Sequence, residues 1–158
     1  MTEIKQPNSR FCFVCGLENA VGLHLHFFET APGQVEAIFI PSEKYQGYPG
    51  VLHGGVVGAL IDEVSGRAHM GSDPESPRFM YTAKLEVWYR RIVPLGRKLR
   101  VIGKARESKG RRALAWGGIY DAETGDLLAE GTTTLVEVPA GALQRSRLAE
   151  LGWKVYPQ

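Results

Sequence analysis

The chain has 158 residues, the usual size of one domain, with 44% apolar and 23% charged residues; that balance belongs to a globular protein that needs neither disulfide nor metal to fold. No stretch approaches the roughly 18 apolar residues of a membrane span, the opening MTEIKQPNSR offers no secretory signal, and two cysteines do not make a disulfide scaffold. A net charge of +2 says little as a total, so a membrane protein, a secreted mini-domain and a low-complexity chain are excluded and the cytoplasm is the expected location.

In chain order, residues 1–10 are polar, carry Pro7 and are expected to fray; residues 11–158 are expected to form a single domain. GLHLHFFE (22–29) places Leu23, Leu25 and Phe27 on one face and His24, His26 and Phe28 on the other, and QVEAIFI (34–40) alternates likewise. With TAPG as the turn between them, they read as an antiparallel strand pair. PSEKYQGYPG (41–50) is a loop by composition. From about Gly54 to Met70, Val57, Leu60, Ile61, Val64 and Ala68 recur at helical spacing and predict one long amphipathic helix.

Four strand-like runs follow, about 79–91, 98–107, 111–121 and 127–138, and the joints VPLG, SKG and AETGD favour hairpins. The end, PAGALQRSRLAELGW, predicts a short amphipathic helix with Leu143, Leu148 and Leu151. The sum is an α+β fold, a curled antiparallel sheet of about six strands wrapped around one central helix. One helix leaves its own end and the sheet edges uncovered, so a homodimer is expected, and a homotetramer is compatible with the same reasoning.

The chemistry-bearing segment is GYPGVLHGGVVGALIDEVSGRAHM (47–70). Gly55, Gly58, Asp62, Gly66 and His69 fall on one helix face that has almost no bulk apart from the Asp62 carboxylate. An interior glycine costs about 1 kcal/mol relative to alanine, so such a face suits the close approach of another body. Partial burial of Asp62 raises its pKa towards the range of a general base; the structural alternative is a carboxylate bonded to a loop or facing water. Glu63 has Arg67 four residues on and reads as one half of an exposed salt bridge. At His53-Gly54-Gly55 the free N–H groups of the helix start form a backbone oxyanion site, where His53 either orients a ligand or acts as a structural hydrogen-bonding group.

Between Lys84 and Arg112 eleven Lys and Arg face two Glu, so this window carries +9 and the remainder of the chain −7. The belt suits a phosphorylated small molecule better than nucleic acid; its structural alternative is solvated strand faces. Cys12-x2-Cys15 with His24 and His26 offers four potential zinc ligands. His24 and His26 alternate on one strand face, however, and Cys15 precedes a strand and not a helix, so the cysteines read as small packing residues with neither metal nor redox role.

HGGVVGALIDE resembles the HGG-x6-D/E signature of hotdog-fold thioesterases of the PaaI-like class, and CFVCGLENAVGLHL (12–25) resembles the opening of one branch of it. The likeness covers about residues 11–138, including TAKLEVWYRRIVPLGRKLRV (82–101). The resemblance implies hydrolysis of an acyl-coenzyme A thioester at a dimer interface, with no cofactor and no nucleic-acid or membrane partner. It implies that Gly54, with Gly55, polarises the thioester carbonyl. Asp62 of the partner subunit acts as nucleophile or general base, flanked by Glu63; Thr82 holds that carboxylate, and His53 is the motif histidine. Where relatives carry Asn or Gln before the histidine this chain has Gly47, with Gln46 adjacent, so both are expected at the substrate. Arg90, Arg91, Lys109, Arg111 and Arg112 are the expected partners of the coenzyme A phosphates. The alternative function is a non-catalytic protein that binds or senses acyl-CoA.

Overall fold

The computed structural model describes residues 2–139, 141–143 and 145–157. The predicted apolar stripe forms helix α1 (Gly54–Ala68), whose Val57, Leu60, Ile61, Val64 and Ala68 are all buried. Its start is fixed by His53, whose ring Nδ1 accepts the Gly55 N–H at 2.9 Å and so caps one of the otherwise unsatisfied amides.

Seven strands form one antiparallel sheet: β1 (Ile4–Lys5), β2 (Phe28–Ala31), β3 (Gln34–Phe39), β4 (Met80–Tyr89), β5 (Leu99–Lys109), β6 (Arg112–Asp121) and β7 (Leu127–Glu137). Their spatial order is β1-β2-β3-β5-β6-β7-β4. Alternate residues face the helix: Val35, Ala37 and Phe39 on β3, Leu99 and Val101 on β5, Ala115 and Ile119 on β6, Ala129 and Leu135 on β7, all buried.

Helix and sheet meet over a row of glycines. Gly103, Gly117 and Gly131 are directly paired across β5, β6 and β7. A Cβ on Gly103 would lie 2.2 Å from the Val64 carbonyl oxygen, and one on Gly131 would lie 2.6 Å from the Glu86 carbonyl oxygen. The absent side chains let α1 settle into the sheet with its backbone against β5.

Several expectations are corrected. The joint VPLG does not close a hairpin: β3 already pairs with β5 from Phe39↔Leu99 to Gln34↔Lys104, so β4 takes the free side of β7 instead. Residues 90–98 therefore cross the end of the sheet, anchored by buried Val93, whose carbonyl accepts the Leu52 N–H at 2.8 Å. The expected strand 22–29 is regular only from Phe28, because Leu23 and Leu25 bond to Phe13 and Val14 and His24 takes a left-handed φ of 56°.

Residues 4–8, expected to fray, are held in place: β1 adds a strand to β2, and Gln6 and Asn8 are buried. Asn8 donates to the Cys15 and Leu25 carbonyls, both at 2.8 Å. Within the predicted C-terminal helix, residues 140 and 144 lie outside the described residues; what is described there is a set of turns and the 3-10 turn Arg145–Arg147. Among the described residues no helix is long and apolar enough to cross a membrane.

Candidate active site

The crossing segment 90–98 ties the loop before α1 to the sheet. Gly47 and Val51, Gln46 and Leu52, and His53 and Tyr45 bond across this loop, which holds it against the helix start. Of the two amides expected to polarise a carbonyl, only one is available. Gly55 is committed to the His53 ring, whereas the Gly54 N–H donates no backbone hydrogen bond among the described residues. The Gly54 carbonyl accepts the Tyr89 hydroxyl at 2.8 Å, a contact with no sequence signal beyond a tyrosine at a strand end.

Gly54 opens into a cleft of about 790 Å³. The expected residues Gln46, Gly47, His53, Arg90 and Arg91 line it, as do Tyr89 and Ile92, which sequence reasoning missed. The Gln46 side-chain oxygen accepts the Gly50 N–H at 3.1 Å, so that oxygen serves the loop. Arg90 and Arg91 are exposed and bond to Glu130 at 3.2 Å and Asp126 at 3.1 Å.

Asp62 sits elsewhere. Its Oδ1 accepts the Thr82 hydroxyl at 2.5 Å across to β4, the pairing the resemblance implies. Burial pushes the Asp62 carboxyl above its ordinary value; the Thr82 hydrogen bond works against that and the neighbouring Glu63 adds to it. Asp62 and Thr82 line a second cavity of about 240 Å³ with Cys12, Cys15, Glu63, Gly66 and Met80. In front of Gly58 and Gly66 a Cβ would meet nothing within 4 Å, so the small-residue face of α1 is open in the single chain.

Glu63 is not one half of an exposed pair. Its partner Arg67 is 1% exposed and donates from Nε to Glu63 Oε1 at 2.9 Å and from Nη1 to the Pro7 carbonyl at 2.8 Å. The guanidinium also lies 4.3 Å from the Phe27 ring centre. A lone arginine on a helix gives no sign of this, because the N-terminal segment that covers it is distant in sequence. Cys15 is buried in the core and Cys12, half-buried, packs against it, as expected; the Cys12 Sγ also accepts the Val14 and Cys15 N–H groups. Among the described residues, the side chains that could share an ion with Cys12 and Cys15 include Glu63 and neither His24 nor His26.

Within one chain the expected catalytic groups do not converge. Eight residues of helix separate Gly54 from Asp62, about 12 Å. The basic residues divide the same way. Arg90 and Arg91 bond to the Leu128 carbonyl at the Gly54 end. Lys109, Arg111 and Arg112 lie at the β5–β6 hairpin, where Arg112 pairs with Val136. Eight residues of β7 separate these levels, roughly 27 Å.

A family model of the thioesterase superfamily matches residues 49–127, half of the chain. The chain belongs to the thioesterase superfamily and has its hotdog fold, one helix packed on an open antiparallel sheet. A solved thioesterase superfamily protein is 31% identical with a TM-score of 0.72, over 80% of this chain and 63% of that one. A structure of smu.793 from Streptococcus mutans, bound to acetyl CoA, is 18% identical with a TM-score of 0.64, over 72% of this chain and 88% of that one; it bears on the fold alone. Among curated proteins, acyl-coenzyme A thioesterase THEM4 of Rattus norvegicus is 24% identical over 127 residues, which are 80% of this chain. The chain spans about half, 53%, of that relative's length.

Proposed function

We propose that the protein hydrolyses an acyl-CoA thioester to the free acid and coenzyme A, as a single PaaI-like hotdog domain that includes the N-terminal strand β1, in the cytoplasm, with a site shared by two copies of the chain. One observation carries the two-chain reading: the Gly54 amide at the start of α1 and the Asp62 carboxylate stand more than two helical turns apart and line different cavities, so a single chain does not bring them together. An antiparallel approach of two copies sets Gly54 of one opposite Asp62 of the other. It also brings Arg90 and Arg91 to the same end as the partner's Arg111 and Arg112. The name of the curated relative, an acyl-coenzyme A thioesterase, supports the substrate class.

In this site the thioester carbonyl accepts the Gly54 N–H, at the positive end of the α1 dipole, which stabilises the developing oxyanion. Asp62, oriented through Oδ1 by Thr82, keeps Oδ2 for the reaction. As a general base it takes a proton from water, whose oxygen attacks the carbonyl carbon, and returns that proton to the sulfur as the C–S bond breaks. As a nucleophile it forms a mixed anhydride as the C–S bond breaks, the thiolate leaves and takes a proton from water, and a second water hydrolyses the anhydride to the free acid and frees Asp62. His53 serves by holding the Gly55 amide and thereby the helix start. Lys109 lies beside the partner's phosphate contacts in the same arrangement.

Release of free thiol from a panel of acyl-CoAs, wild type against Asp62→Asn, tests this. The expected result is turnover in the wild type, lost by about 10²- to 10⁴-fold in the variant, with coenzyme A binding retained in both. Binding without turnover in the wild type assigns the protein to acyl-CoA sensing instead.

A further inference from the structure

The turn Cys12–Gly16, whose cysteines line the cavity that Asp62 and Thr82 also line, is given no step in the proposed hydrolysis. Gly16 donates its N–H to the Cys12 carbonyl at 2.8 Å, and a Cβ on Gly16 would lie 2.3 Å from that oxygen, so the backbone closes as tightly as only glycine allows. Cys12 Sγ accepts the N–H of Val14 at 3.3 Å and of Cys15 at 3.4 Å. Such amides orient a sulfur and favour its thiolate. From the opposite side α1 brings Glu63 Oε2 to 3.8 Å from the same sulfur.

The two sulfurs and a Glu63 carboxylate oxygen all lie within 4.8 Å of one another. Around a tetrahedral zinc-class ion, sulfur and oxygen ligands stand about 3.6 to 3.8 Å apart, so the cluster is near the required size. We propose that Cys12, Cys15 and Glu63 bind a thiophilic divalent cation of the zinc class, which fastens the N-terminal turn to the central helix.

Charge and access fit the ion. Two thiolates, one carboxylate and a divalent cation leave one negative charge, which the buried Arg67 guanidinium balances. Arg67 occupies only Glu63 Oε1, at 2.9 Å, and leaves Oε2 to the metal, the outer-sphere arrangement that orients a carboxylate ligand. The cavity of about 240 Å³ beside the cluster gives a water room to complete four-coordination. The site also has a mechanical role, because Arg67 bonds to the Pro7 carbonyl and Gln6 to the Arg67 carbonyl, so the ion adds a third tie at the same seam.

Cobalt(II) alone, added to the reduced full chain, tests the site. The expected spectrum has a thiolate-to-cobalt charge-transfer band and tetrahedral visible bands that saturate at one ion per chain and vanish when zinc is added. Cys12→Ser and Cys15→Ser each remove the charge-transfer band; Glu63→Gln keeps it and weakens binding at least about tenfold. If those variants fail to fold, the wild type decides alone: equimolar zinc must raise its melting temperature and slow alkylation of its thiols. A cobalt spectrum without charge transfer, or thiols that react equally fast with zinc present, overturns the proposal. None of these measurements reads thioester turnover, so failure here is separate from failure of the proposed hydrolysis.

Discussion

A carboxylate bonded through one oxygen keeps the other for chemistry, and Asp62 is held in that way by Thr82 at 2.5 Å. Replacing Thr82 by valine keeps the shape and removes the donor. The expected effect is a fall of about tenfold in kcat with little change in KM, restored by Thr82→Ser; an unchanged kcat would free Asp62 of this constraint. Arg67 makes a different case. Arg67→Met leaves the Glu63 carboxylate half-buried beside a vacated guanidinium site, and removing one partner of a buried pair costs about 3 kcal/mol or more. Urea unfolding should show a lower midpoint with an unaltered slope. The sequence made Asp62 and Thr82 readable through spacing and resemblance, but not Arg67. Its environment is built by Pro7 and Phe27, sixty and forty residues away.

At the scale of elements, the glycine row fixes how deeply the helix beds into the sheet. Gly103→Ala would drive a methyl into the Val64 carbonyl, and the expected loss is about 2 kcal/mol or more by chemical denaturation. Period-two and period-3.6 patterns located the helix and five of the strands to within a few residues, because those patterns report burial. They could not show that Gly103, Gly117 and Gly131 share one row, since that is a property of register. Nor could they show that β4 passes to the far edge: local turn chemistry favoured a hairpin, while the β3–β5 pairing already filled the place.

The β6–β7 hairpin carries a pH-dependent tie. Asp121 accepts the Glu123 and Thr124 N–H groups and pairs with Arg97 at 2.7 Å. The backbone hydrogen bond from Glu123 leads in holding its carboxyl below the ordinary 3.8. A depressed folded-state value stabilises the native chain above the unfolded-state value, and that stabilisation is lost as pH falls through the folded one. Asp121→Asn should therefore flatten the acid limb of a stability–pH profile below about pH 4. A limb as steep as that of the wild type would remove Asp121 from the account.

For the whole molecule, β4 is the outer strand of the sheet and pairs only with β7. Gly54 and Asp62 of α1 bond to Tyr89 and Thr82 of this same strand. A second copy that covers both would complete the proposed site twice, once on each side of a two-fold axis. The separation of Gly54 from Asp62 makes this pairing testable with two variants that are each inactive alone. Gly54→Pro removes the oxyanion N–H while suiting the first helical position, and the preceding His53 has the extended ψ of 132° that proline requires. Asp62→Asn removes the other half.

Measuring thiol release after mixing and reassociating the Gly54→Pro and Asp62→Asn chains tests the shared site most directly. Mixed dimers carry one intact site and one doubly damaged site, so recovery to about a quarter of wild-type activity is expected from random pairing. A mixture as inactive as its components, with subunit exchange demonstrated, would contradict a site assembled from two chains.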